Sequence, residues 1–250
     1  MERLHQLARA NLDALLSNSY PGRGLVLGLN AAGDAAIQVY WIMGRSPNSR
    51  NRVFVADDDG SLRTEAADPS TMKDPSLVIY RAMAEDDRDF VVSNGHQTDT
   101  IMDAIISWFG LNEALLEWKY EPDEPNFTPR ISGIVSVKQG TPSGIYAAIS
   151  ILRKSPFGDH CDRASYEYEA LPAGLGYCVT TYMGDGDPLP SFKDEPYLLP
   201  IDGWHVDEIT QTFWDALNRD NRVSLAVKMI DLENGQSQLH VINKYEQVPA

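Results

Sequence analysis

Short β-prone apolar runs, each closed off by turn residues, recur along this chain more often than helical patterns do, and that recurrence limits the fold most. The runs fall at residues 24–29, 35–43, 52–55, 77–83, 89–93, 131–137, 145–152, 175–182, 223–230 and 238–242. Helical spacing is confined to a few places. Leu4, Leu7, Ala8, Leu12, Leu15 and Leu16 predict an amphipathic helix over 1–16, and Ile101, Met102, Ile105, Ile106 and Phe109 predict one over 98–109. Two more are expected at 111–118, stopping before Pro122, and at 206–217. Strands that outnumber helices, with both recurring, predict an α+β chain. The runs at 24–29, 35–43 and 52–55 read as an antiparallel meander. Asp57-Asp58-Asp59-Gly60 reads as a surface turn, because a calcium loop needs acids at alternate positions and a distant Glu. The acidic, Pro-rich stretch 185–200 is the one linker candidate. The segment beyond it is too short for a separate domain, so residues 1–250 are expected to form a single domain.

The formal charge of −15 excludes general binding to a phosphate-rich polymer such as nucleic acid. No apolar run approaches the roughly 20 residues that span a bilayer. With charges at Glu2, Arg3, Arg9 and Asp13 in place of a leader's apolar run, and two cysteines, a cytoplasmic protein is the expectation. Charge is not spread evenly. Between Ala14 and Ala56 the arginines 23, 45, 50 and 52 face Asp34 as the only acid, a local excess of +3. The run Arg45-Ser-Pro-Asn-Ser-Arg50-Asn-Arg52 packs guanidinium, hydroxyl and amide donors into one turn, an inventory that grips phosphate oxygens. An ordinary basic hairpin is the alternative. If a strand begins at residue 52, Arg50 and Arg52 share a face.

Other motifs fall short. Gly22, Gly24 and Gly28 miss the dinucleotide-binding spacing, no Walker loop or Gly-x-Ser-x-Gly elbow occurs, and His160-Cys161-Asp162 is too compact to surround a metal. No metal or cofactor is expected. His96 with Asp99 reads more readily as a polar helix entrance than as an acid–base pair.

Five fragments in order resemble the IMP cyclohydrolase family best known from archaea. They are Tyr20-Pro-Gly-Arg-Gly-Leu-Val-Leu-Gly28; Tyr40 followed by Gly44-Arg-Ser-Pro-Asn-Ser-Arg50; Asp74-Pro-Ser-Leu-Val-Ile-Tyr80; Val92-Ser-Asn-Gly-His-Gln-Thr-Asp99; and Tyr120-Glu121 with Asn126-Phe-Thr-Pro-Arg-Ile131. The family's turn reads Ser-Arg-Ser-Phe-Pro-Asn-Arg; here Gly44 stands for its first serine, the aromatic is missing and Ser49 precedes Arg50. The resemblance starts near residue 20, which makes residues 1–19 a helical extension. It implies a four-layer αββα sandwich of two largely antiparallel sheets flanked by helices, similar to the N-terminal nucleophile hydrolases. It also implies closure of the purine ring of 5-formamidoimidazole-4-carboxamide ribonucleotide to IMP and water. The alternative is a diverged, non-catalytic nucleotide-binding protein of the same fold.

Carried over by position, Arg45, Ser46 and Arg50 would contact phosphate or oxyanion, with Arg23 beside them in the substrate site. Tyr40 and Tyr80 would donate to the oxyanion or stack on the imidazole, packing in a sheet being the alternative. Asn94, Thr98 and Asp99 would offer donors at a helix N-terminus, or cap it. Glu121, expected at a helix end before a proline loop, is the preferred proton carrier if burial raises its pKa, and an exposed glutamate otherwise. Arg130 would pair a carboxylate or touch substrate. The partner implied is a small purine ribonucleotide, with no nucleic acid and no membrane. The leucines of the first helix either cover a sheet or join copies into a homo-oligomer.

Overall fold

The computed structural model describes residues 1–138 and 143–248. In chain order its elements begin with α1 (Glu2–Ser17), β1 (Gly24–Leu29), β2 (Ala35–Met43), α2 (Pro47–Arg50), β3 (Val53–Ala56), β4 (Leu62–Glu65), β5 (Arg81–Asp86) and β6 (Asp89–Ser93). Then come α3 (Gln97–Ile106), α4 (Leu111–Ala114), β7 (Arg130–Val137), β8 (Ile145–Lys154), β9 (Cys161–Tyr168), β10 (Leu175–Thr180), β11 (Tyr197–Pro200), α5 (Val206–Ala216), β12 (Arg222–Asp231) and β13 (Ser237–Asn243). Two antiparallel sheets result: six strands ordered β11-β10-β1-β2-β12-β13, and seven ordered β3-β4-β5-β6-β7-β8-β9. The chain is α+β, as the strand-rich pattern predicts.

Period two explains why the sheets stack. Leu25, Leu27, Tyr40 and Ile42 point from β1 and β2 towards Phe90, Val92, Ile131, Val135 and Ile149 of the seven-stranded sheet. The alternate residues Val26, Ile37, Val39 and Trp41 point the other way, against Leu15 of α1 and Ile209, Phe213 and Trp214 of α5. On the far side, α3 and α4 lay Ile101, Met102, Leu111 and Leu115 over Val91, Ile134 and Ala148. The layers thus run helix, sheet, sheet, helix. β2 is covered on both faces, which is why all nine of its residues are buried and its sequence is nearly unbroken apolar.

Several expectations are corrected. The meander ends at β2: Ser46 caps the short α2, with Pro47 in its first turn, and that turn carries the chain into the other sheet, where β3 begins. Arg50 therefore lies on α2 and Arg52 just before β3, so the two do not share a strand face. The run at 77–83 becomes a strand only from Arg81, because Pro75 O accepts from Val78 N and Ile79 N in a turn. α4 is a single turn, not a helix to 118: Leu115 N and Leu116 N donate to Asn112 O and Glu113 O, and Trp118 N to Leu115 O, three residues back rather than four. The chain thus tightens into turns, whose carbonyls at Leu115, Leu116 and Trp118 accept from Arg163 of β9. Glu121 consequently lies in a loop, well past that helix. Ile106 and Phe109 are exposed: Ile106, the last residue of α3, falls off the face that buries Ile101 and Met102, and Phe109 lies beyond the helix. The stretch 185–200 is no free linker, as its end forms β11 and pairs with β10. β4, β9 and β11 fall outside the expected runs. The surface turn at Asp57–Gly60 is present as the β3–β4 hairpin, closed by Gly60 N to Asp57 O.

α1 braces the β11 edge of the six-stranded sheet. Its Asn11 donates to Leu198 O at 2.9 Å, and Asn18, just past its end, donates to Met183 O at 3.0 Å.

One polar cluster ties the sheets together away from that edge. Lys228 of β12, fully buried, donates to Gly60 O at 2.8 Å and forms an ion pair with Glu85 of β5. Burial lowers the lysine's pKa and Glu85 opposes that. Glu85→Ala should cost about 3 kcal/mol or more in urea unfolding, because it strands a buried ammonium, whereas Lys228→Met should cost less. Equal losses would show that the charge is not what matters there.

Candidate functional site

A cavity of about 360 Å³ opens at one end of the stacked sheets, within the range of roughly 300–1,000 Å³ usual for small-molecule sites. Its wall includes Arg23, Arg45, Arg52, Glu121, Asp123 and Tyr182. The arginines arrive from the approach to β1 and from both flanks of α2; the acids come from the loop between α4 and β7. Cations from one sheet's connections and carboxylates from the other's meet here.

The centre of the wall is a buried fork. Arg23 Nη1 and Nη2 donate to Glu121 Oε1 and Oε2 at 2.9 and 2.8 Å, and Nη1 also reaches Asn94 O at 3.2 Å. Arg130 Nη1 stands 3.9 Å from Glu121 Oε1, donates to Gln97 Oε1 at 2.9 Å and places its guanidinium 4.9 Å over the Trp118 ring. Burial pushes the Glu121 carboxyl up, while Arg23 and then Arg130 pull it back. Burial works against the Arg23 charge as well, and Glu121 with the neighbouring Tyr80 and Tyr40 together outweigh it, so its pKa rises. A bidentate fork with a second guanidinium alongside favours the ionised pair.

Arg52 is the unusual cation. It is 3% exposed, with Nε donating to Ser49 O at 2.8 Å and Nη2 to Met43 O at 3.1 Å. Among the described residues no carboxylate pairs with it, and burial lowers its pKa. A buried guanidinium on a cavity wall without a counter-ion is a place for an anion. Arg45 stands at the rim, ion-paired with Asp185, bonded to Gly186 O at 3.0 Å and 5.0 Å over the Tyr20 ring. Ser46, also in the wall, caps α2 by accepting from Ser49 N at 3.1 Å. Gly44 is required by this packing, since a Cβ there would lie 2.7 Å from the Ser49 backbone.

The other expected residues sit elsewhere. Arg50 turns away, donating to Gly44 O at 2.9 Å and Asn221 Oδ1 at 3.0 Å. Tyr40 and Tyr80 are buried with hydroxyls 2.7 Å apart; burial holds the Tyr40 phenol well above its usual pKa. Asn94 is a structural pin: it donates to Pro129 O at 2.9 Å and accepts from Ile131 N at 2.8 Å, tying β6 to β7. Thr98 bonds to Ser93 Oγ at 2.6 Å, and Asp99 pairs with Arg81 on the surface at 2.6 Å. His96 contacts Ser76 O at 3.0 Å, outside the cavity wall.

Asp123, Thr128 and Tyr182 line the cavity although no sequence motif singles them out. Thr128 lies inside one of the quoted fragments, and Arg52 belongs to the basic cluster, so both carry a signal. Tyr182 carries none, because it enters from the end of β10, far away in sequence.

Removing one member of the fork leaves the other charge buried. Arg23→Ala should cost about 3–5 kcal/mol in denaturant unfolding. The Arg23→Ala/Glu121→Ala double variant should lose clearly less than the two single losses added; simple additivity would show the two side chains uncoupled.

A family model described as IMP cyclohydrolase-like protein matches residues 20–235. Two curated relatives carry the name IMP cyclohydrolase. The protein of Methanothrix thermoacetophila is 32% identical over 118 residues, covering 45% of this chain and 57% of the relative. That of Methanopyrus kandleri is 37% identical over 117 residues, with the same two coverages of 45% and 57%. The chain thus spans a little over half the length of these relatives. α1 precedes the matched region, whereas the fork, Arg45, Arg52 and the cavity loop all fall inside it. With its match running through both sheets, this chain belongs to the IMP cyclohydrolase-like family.

Proposed function

We propose that the cavity binds a purine-pathway ribonucleotide and closes its second ring, converting 5-formamidoimidazole-4-carboxamide ribonucleotide to IMP and water. The observation that carries this reading is Arg52, a buried cation without a carboxylate partner among the described residues, beside Arg45 and the hydroxyl and amide groups around α2. Together they offer a monophosphate several donors in one place. Family membership supplies the substrate class; the two archaeal relatives are named for this activity.

The chemistry suits such a wall. The carboxamide nitrogen must attack the formyl carbon of the same molecule, giving a tetrahedral oxyanion whose oxygen later leaves as water. Because both reacting groups are on one substrate, holding them in contact supplies much of the acceleration. Arg45, Ser46 and Arg52 anchor the phosphate in this reading, and the guanidinium of Arg23, fixed by Glu121, provides positive charge near the developing oxyanion. The Tyr40–Tyr80 hydroxyl pair is buried, with the Tyr40 phenol kept neutral by that burial. Arg50, Asn94, Thr98 and Arg130 shape the turns that present these groups, and Asp99 stays on the surface.

The pure protein, incubated with the formylated ribonucleotide, should raise the rate of the absorbance change of ring closure above the uncatalysed background. Arg52→Lys and Arg45→Lys should each weaken IMP binding in calorimetry, by about 1.5–3 kcal/mol if a charged hydrogen bond is lost. IMP binding without turnover would favour the non-catalytic reading, for which Arg45's existing tie to Asp185 speaks. Wild-type affinity in both variants would place the anion elsewhere.

A further inference from the structure

The cavity wall holds a second carboxylate that has no part in gripping phosphate or fixing Arg23. Both oxygens of Glu121 are taken by Arg23, which leaves that group ill suited to pick up a proton. Asp123, two residues on and half-buried, accepts from Thr128 N at 2.7 Å and from the Thr128 hydroxyl, and that hydroxyl is also hydrogen-bonded to the Tyr182 hydroxyl. Proton counting fixes the direction of the chain. Threonine has one hydroxyl hydrogen and a carboxylate has none, so Thr128 donates to Asp123 and Tyr182 donates to Thr128. The Tyr182 oxygen is left with lone pairs free to accept from a ligand N–H.

Tyr182 is held in place from several sides. Its ring stacks on Tyr20 with centroids 6.0 Å apart, and its backbone N–H donates to Pro21 O at 3.1 Å. Gly22 has φ +75°, and a Cβ there would come within 2.5 Å of the Tyr182 ring. Burial pushes the phenol up to about 12 although Arg23 draws it down, so the hydroxyl keeps its proton at neutral pH.

We propose that Tyr182, Thr128 and Asp123 form the proton relay of ring closure, with Asp123 as the terminal acceptor. The proposal rests on the ring-closing reading. As the carboxamide nitrogen forms its bond to the formyl carbon, an N–H proton passes to the Tyr182 oxygen, the Tyr182 proton to Thr128 and the Thr128 proton to Asp123. The carbonyl π pair moves to the formyl oxygen as an oxyanion. The proton stored on Asp123 returns along the chain to that oxygen. A second N–H proton, carried the same way to the hydroxyl, lets it leave as water while the C=N bond forms. No oxidant or co-reactant is required.

Four variants test it: Asp123→Asn, Tyr182→Phe, Thr128→Val and Thr128→Ser, each checked for folding by circular dichroism. Relay loss should lower kcat for the first three by roughly 10²–10⁴-fold while IMP affinity stays within about threefold, and Thr128→Ser should keep most of the activity. A purely structural role would instead move affinity and kcat together, or would leave Ser as impaired as Val. If Asp123→Asn does not fold, the Val and Ser variants at 128 decide alone. Active wild type with unchanged variants overturns the relay only; wild type without turnover overturns the ring-closing reading and the relay with it.

Discussion

The bidentate pair between Arg23 and Glu121 is the contact on which the site depends. Arg23 leads into β1 of one sheet; Glu121 sits in the loop that feeds β7 of the other, and the same guanidinium reaches Asn94 O at the end of β6. Apolar faces hold the sheets together but do not fix how far one slides along the other. A fork with two N–H···O bonds has a narrow geometry, so it sets that relation at the cavity end. Lys228 with Glu85 does the same elsewhere in the sandwich. Burying such pairs costs desolvation that their attraction barely repays, so their contribution is placement more than stability.

Placement explains how a chain of charge −15 can present an anion site. Screening confines most surface acids to a reach of about 8–10 Å. Inside that radius stand Arg23, Arg45, Arg52 and Arg130 against Glu121, Asp123 and Asp185, with Glu121 spent on Arg23 and Asp185 on Arg45. Arg52 keeps its charge available because its hydrogen bonds go to carbonyls, which satisfy donors without neutralising them.

Much of this is legible in the sequence, and the failures share a cause. β1, β2 and β6 are apolar runs between turn residues, and their ends are recovered to the residue. β9 escapes sequence reading because Ala164, Tyr166 and Tyr168 alternate with polar residues on a strand at the sheet's edge, so no apolar run is visible. α4 gives way to turns bonded three residues back, and Arg163 of β9 holds the carbonyls they leave, a tertiary contact that no local pattern announces. The site shows the same split. The basic turn is readable as a cluster, but α2 decides that Arg52 faces the cavity and Arg50 does not. Tyr182 enters from a distant strand, and only the fold brings it to Thr128.

The central claim is that the nucleotide's phosphate lies against the turn around α2. A crystal structure with IMP bound tests it most directly. The account predicts phosphate density within hydrogen-bond reach of Arg52 and Arg45, with the purine turned towards the wall of Arg23 and Tyr182. Phosphate bound away from both arginines, or IMP seated outside this cavity, would contradict it.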